Sequence, residues 1–107
     1  MLISDERLEL ALKRLAQTDG AVADLHMEVE RCEFLAKATK ESVFTRSGGT
    51  VAERTAAATT SEDYLAAMEN YFAALKAHEK MRNERAREVI VIDVWRSLNS
   101  TRNKGLL

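Results

Sequence analysis

Proline is absent from this 107-residue chain, glycine occurs four times, cysteine once, and aromatic residues make up 6% of the total. So few turn-forming residues exclude a fold of many short strands joined by tight turns. A lone cysteine, Cys32, excludes an intramolecular disulfide and fits a reducing compartment. No apolar run approaches the roughly 20 residues of a membrane span. The start, Met-Leu-Ile-Ser followed by Asp5 and Glu6, lacks the basic and apolar regions of a secretory leader, so a soluble cytoplasmic protein without membrane contact is expected. The formal net charge of -1 removes overall basicity as an argument for nucleic acid.

Catalytic and metal-binding patterns are missing as well. His26 and His78 are the only histidines, and neither has a carboxylate three residues before it, as a di-iron bundle requires. There is no His-Glu-x-x-His spacing, no cysteine pair and no Gly-x-Ser-x-Gly elbow, and no base is spaced around Cys32. Ser47-Gly48-Gly49-Thr50 precedes a helix start but lacks the lysine and glycine spacing of a phosphate-binding loop, and reads as a turn. The expectation is a protein that is not an enzyme, with no cofactor and no metal.

What is present is a helical repeat. Leu8, Ala11, Leu15, Thr18, Val22, Leu25, Val29, Cys32, Ala36, Thr39 and Val43 recur at alternating steps of three and four. A stripe with this 3.5-residue mean stays on one side of a helix only where that helix winds against another. Asp19-Gly20 reads locally as a stop, yet the phase is the same on both sides and Gly20 falls opposite the stripe. A continuous helix is therefore predicted, at a local cost of about 1 kcal/mol relative to alanine; the alternative is two helices with a bend at Gly20.

Ser4 can cap this helix, with Asp5 and Glu6 in its first turn. It should run from about residue 5 to about 44, where Ser47-Gly48-Gly49 ends it. Thr50-Val51-Ala52-Glu53 has capping-box spacing and opens a short connecting helix within residues 45–60. Thr60 and Asp63 repeat that spacing before a second long helix, from about 61 to 103. The predicted fold is all-α: one antiparallel, coiled-coil-like helical hairpin domain over residues 1–107, expected to form a dimeric four-helix assembly.

In the second helix Tyr64, Met68, Tyr71, Leu75 and His78 keep the three-four spacing, and Leu65 and Phe72 widen the apolar face. The register then lands on Arg82 and Arg85, then on Val89, Ile92 and Arg96, leaving a polar gap in the seam. Val89-Ile90-Val91-Ile92-Asp93-Val94-Trp95 also fits a strand by its β-branched residues, but no second run exists to pair with it, and helix is predicted. As a helix it is apolar on more sides than one hairpin partner covers. Homo-oligomerisation or contact with another protein should follow, through Leu8, Leu15, Val22, Leu25 and Val29 on the first helix and Val89, Ile92, Trp95 and Leu98 on the second.

Charge is unevenly distributed. From residue 80 onward Lys80, Arg82, Arg85, Arg87, Arg96, Arg102 and Lys104 face only Glu84, Glu88 and Asp93. Arg82, Arg85 and Arg96 fall within one arc of a helical wheel and can track phosphates, with Trp95 or a tyrosine stacking on bases. The favoured alternative is that they pair with Asp5, Glu6 and Glu9, which antiparallel folding brings alongside.

Finally, Thr50-Val51-Ala52-Glu53-Arg54, Ser61-Glu62-Asp63-Tyr64 and Val94-Trp95-Arg96-Ser97, with Arg102 and Gly105, resemble small helical proteins of phages and prophages, often encoded near recombination or single-strand-annealing genes. The resemblance covers about the second half of the chain and implies a setting, not a catalytic residue. The expected function is a self-associating scaffold or accessory to phage DNA metabolism. The second reading is a single-stranded-DNA-binding accessory using Arg82, Arg85 and Arg96, and the third a non-DNA adaptor or small chaperone.

Overall fold

The computed structural model describes residues 2–105, and side chains over residues 2–103. The protein is all-α. Three helices follow one another, α1 (Asp5–Arg46), α2 (Val51–Thr60) and α3 (Glu62–Gly105), and no strand occurs among the described residues. The Val89–Trp95 run is helical, as expected of a β-prone segment with no strand to pair with.

Local chemistry explains the helix starts and the break after α1. Ser4 Oγ accepts from the Arg7 amide at 3.1 Å, and Asp5 and Glu6 occupy the first turn of α1. The helix passes through Gly20 unbroken, with that position open to solvent. Thr18, Thr39 and Thr45 donate their hydroxyls to the carbonyls of Arg14, Leu35 and Glu41, so these mid-helix polar groups are satisfied. At the far end Ser47 Oγ donates to the Val43 carbonyl, and Gly49 turns the chain at φ +101°. Thr50 then caps α2 at the predicted position, its hydroxyl accepting from the Glu53 amide at 3.2 Å; the Glu53 carboxylate reaches back to the Thr50 hydroxyl and not to its amide, so one half of the predicted capping box forms.

The next start is displaced by one residue. Thr60 remains in α2 and donates to the Ala56 carbonyl, while Ser61 caps α3 by accepting from the Tyr64 amide. Both hydroxyls can cap, and only Ser61 has the extended backbone that a cap requires.

The described chain divides into two compact units. One comprises residues 1–23 and 79–107, the other residues 24–78. In the first, α1 and α3 segments run antiparallel, with Arg7 paired to Glu88 and Asp5 bonded to Trp95. Ala11 and Ile92 are its buried apolar residues. In the second, Arg46 pairs with Asp63 and His26 stacks near His78, again antiparallel. Its core is Val29, Cys32 and Ala74, with Tyr71 packed on them; Ala36, Val43 and Ala58 are also buried.

Every member of the predicted α1 stripe from Leu8 to Val43 is buried or half-buried. The α3 register differs from the expected one. Tyr71, His78, Arg85 and Ile92 face inward as predicted, but the intervening positions are Ala74, Met81, Glu88 and Trp95, not Leu75, Arg82, Val89 and Arg96. Hydrophobicity alone favoured Leu75 and Val89. The inward line is instead set by what the α1 side chains can accommodate, including a buried carboxylate.

Candidate interaction surfaces

The polar gap expected in α3 is occupied by an ion-pair layer in the unit formed by residues 1–23 and 79–107. Glu88 is buried, and its carboxylate accepts Arg7 Nη1 and Nη2, each at 2.8 Å, and Arg14 Nη1 at 3.2 Å. Arg7 and Arg14 lie one helical turn to either side of Ala11, which is fully buried. A small residue there leaves both guanidinium groups room to reach a single acceptor. The Arg7 hydrogen bonds hold the Glu88 carboxyl below the usual carboxylate range against the opposing effect of burial, and Glu88 in turn raises Arg7.

One turn along, Arg85 Nη1 donates to the Leu15 carbonyl at 2.8 Å and to Thr18 Oγ1 at 2.6 Å, with Nη2 3.6 Å from Asp19. A cleft of about 350 Å³ opens beside this layer between Arg14, Leu15, Met81 and Arg87. Near the start of α1, Trp95 Nε1 donates to Asp5 at 3.2 Å.

These contacts break up the basic arc. Arg85 is half-buried and turned inward, Arg82 is exposed with Nη1 3.6 Å from Glu79, and Arg96 is exposed. The three arginines were expected to pair with Asp5, Glu6 and Glu9. Instead the long-range pairs run largely the other way, from arginines of α1 to a glutamate of α3, because the shifted register turns Arg82 and Arg96 to the flank.

Of the residues expected to mediate association, Val29 and Ile92 are buried within the chain; Leu8, Leu15, Val22, Leu25 and Trp95 are half-buried along the same seam; Val89 and Leu98 are exposed. A different apolar line stands outside the seam in the unit of residues 24–78: Leu65, Met68, Phe72 and Leu75 on one flank of α3, spaced three-four-three. Leu65 and Phe72 are 51% and 50% exposed, values high for neighbouring large apolar side chains. The sequence signal lies in Leu65 and Phe72, which form a second face where widening of a single one is expected. On α1 of the same unit Met27, Phe34 and Leu35 are exposed.

Reactive groups are muted. Burial pushes the Cys32 thiol up, and its bond to the Glu28 carboxylate at 3.4 Å acts in the same direction, so at neutral pH it is a protonated core residue. Arg31 holds Glu28 ionised, bonded at 2.6 Å. The His26 and His78 rings lie 5.4 Å apart and Glu30 is 3.9 Å from His26, but no group of three or more His, Cys, Asp or Glu residues suited to a metal forms among the described residues. No described helix is long and apolar enough to cross a membrane. No family model matches the chain, and no curated protein or solved structure is significantly similar to it.

Proposed function

We propose that this chain is a non-enzymatic helical interaction protein that self-associates and serves as a scaffold or accessory to a larger assembly. One observation carries the reading. Among the described residues, the eight buried apolar residues include four alanines and no large side chain is fully buried, whereas thirteen large apolar side chains are exposed. A seam of small residues contributes little burial, at about 25 cal/mol per Å² of apolar area, and leaves most of the hydrophobic gain to contacts outside the chain. The inward engagement of Arg85 with Leu15 and Thr18 supports this reading over single-stranded-DNA binding through Arg82, Arg85 and Arg96. A place beside phage DNA metabolism belongs to the proposal too, and rests on the resemblance of Thr50–Arg54, Ser61–Tyr64 and Val94–Ser97.

Sedimentation equilibrium on the full chain at micromolar concentration tests it. A dimer or larger species supports the reading, and a monomer throughout overturns it. Titration with a labelled single-stranded oligonucleotide at low and moderate salt addresses the competing reading. Binding that weakens steeply with salt, and is lost on replacing Arg82, Arg85 and Arg96 with glutamine, would put nucleic acid in place of self-association as the primary role.

A further inference from the structure

We infer that the partner on the Leu65-Met68-Phe72-Leu75 flank is a second copy of this chain, packed about a two-fold axis parallel to the helices. The inference rests on the self-association proposed above and specifies its interface. The flank has the three-four-three spacing of a coiled-coil seam and projects from α3 on the side of a shallow cleft lined by Lys37 and Lys40 of α1 and by Met68 and Tyr71 of α3.

Charge selects the occupant and its direction. From the Arg46–Asp63 end of this unit towards the His26–His78 end, the α1 border of the flank reads Lys40, Lys37, Glu33. The outer border of α3 carries Glu62 and Glu69, which bracket the level of Lys40 and Lys37. Over that stretch the two borders carry opposite charge. Within the chain, Lys37 pairs with Glu33 at 2.9 Å, while Lys40, Glu62, Glu69 and Lys76 have no ion-pair partner among the described residues. A two-fold axis along the helices lays the α1 border of one copy over the α3 border of the other, so Lys37 and Lys40 meet the stretch held by Glu62 and Glu69. An axis across the helices at this level would instead place Lys37 against Lys37 and Glu69 against Glu69, a like-charge arrangement that disfavours that packing. With the axis along the helices each apolar residue meets its own counterpart, Phe72 against Phe72.

Three variants of the full chain test the interface, each checked for unchanged helicity by circular dichroism. Leu65 and Phe72 are half-exposed, so replacing both with glutamate should leave the fold intact and weaken self-association at least about 100-fold. Lys37→Glu with Lys40→Glu should weaken it separately, as should Glu62→Lys with Glu69→Lys, and an equimolar mixture of these two charge-reversed variants should restore association as a mixed dimer. Leu65→Cys should cross-link to its own counterpart under oxidation. If the wild-type chain is monomeric, self-association itself fails. If the wild-type chain associates and the Leu65/Phe72 variant associates equally well, self-association stands and this face is wrong. If the charge-reversed mixture forms no mixed dimer, or Leu65→Cys does not cross-link, the axis along the helices is wrong.

Discussion

Replacing Glu88 with glutamine isolates the charge of the buried carboxylate while keeping its shape. Glu88 accepts two hydrogen bonds from Arg7 at 2.8 Å and one from Arg14 at 3.2 Å. Hydrogen bonds to a charged group contribute about 1.5–3 kcal/mol when well buried. The arginine side chains keep 32% and 52% of their exposure, so water competes for both and lowers that contribution. A net loss of roughly 2 kcal/mol at pH 7 is the reasoned value, because glutamine can still accept from Arg7 and neither arginine is left fully buried without a partner. For a domain of this size that corresponds to a fall in melting temperature of roughly 8–16 °C.

The same group sets a pH signature. Its folded pKa is depressed, so the stability it contributes is fully present above the ordinary glutamate range, near 4.3, and is lost as pH falls through the lower folded value. Circular-dichroism melts of wild type and Glu88→Gln, at equal protomer concentration because association shifts the midpoint, should differ at pH 7 and converge towards pH 3. Equal midpoints at pH 7, or a gap that persists undiminished at pH 3, would refute the assignment of stabilisation to this ionised carboxylate.

Further outcomes follow from other parts of the structure. Val29→Asp places an unpaired charge in the core of residues 24–78 and should cost several kcal/mol, whereas Gly20→Ala, open to solvent, should be neutral or stabilise by up to about 1 kcal/mol; thermal melts compare them. Gly49→Ala should destabilise by roughly 1–2 kcal/mol in urea titrations, since φ +101° disfavours a side chain and the added carbon meets the Glu53 carboxylate that Thr50 bonds. Cys32 should react slowly with a thiol reagent in the native chain and rapidly in denaturant, because it is buried with a raised thiol pKa.

Features set by near neighbours were legible in the sequence. Ser4, the break at Ser47-Gly48-Gly49 and the Thr50–Glu53 box act over three or four residues, and the α1 stripe is regular enough to declare its face without knowledge of its partner. The α3 register was not legible, because two stripes share Tyr71, His78, Arg85 and Ile92 and differ only at alternate positions. Leu75 and Val89 are more apolar than Ala74 and Glu88, so a reading by hydrophobicity turns the wrong line inward. Arg7, Arg14 and the small Ala11 settle the choice around Glu88, and they lie more than seventy residues away in the chain. The basic arc misled for the same reason: a helical wheel groups Arg85 with Arg82 and Arg96, but the shifted seam draws Arg85 inward and leaves the other two outside.

The size order of the α3 side chains between Tyr64 and His78 connects this register to association. A hairpin sufficient in itself would place its larger apolar residues in the seam and small or polar ones on the flank. Here the inward line includes Ala67 and Ala74, while Leu65, Phe72 and Leu75 stand on the flank beside Met68. Small inward residues let α1 and α3 approach closely, which favours tight backbone packing but removes little apolar surface from water. The larger side chains then make their hydrophobic contribution only when a second surface covers them. On the proposed reading, stability in this unit is divided between a close intrachain seam and an interchain flank. The dependence of melting temperature on protein concentration should therefore disappear when Leu65 and Phe72 are replaced by glutamate, while the helicity of the chain at low temperature is retained.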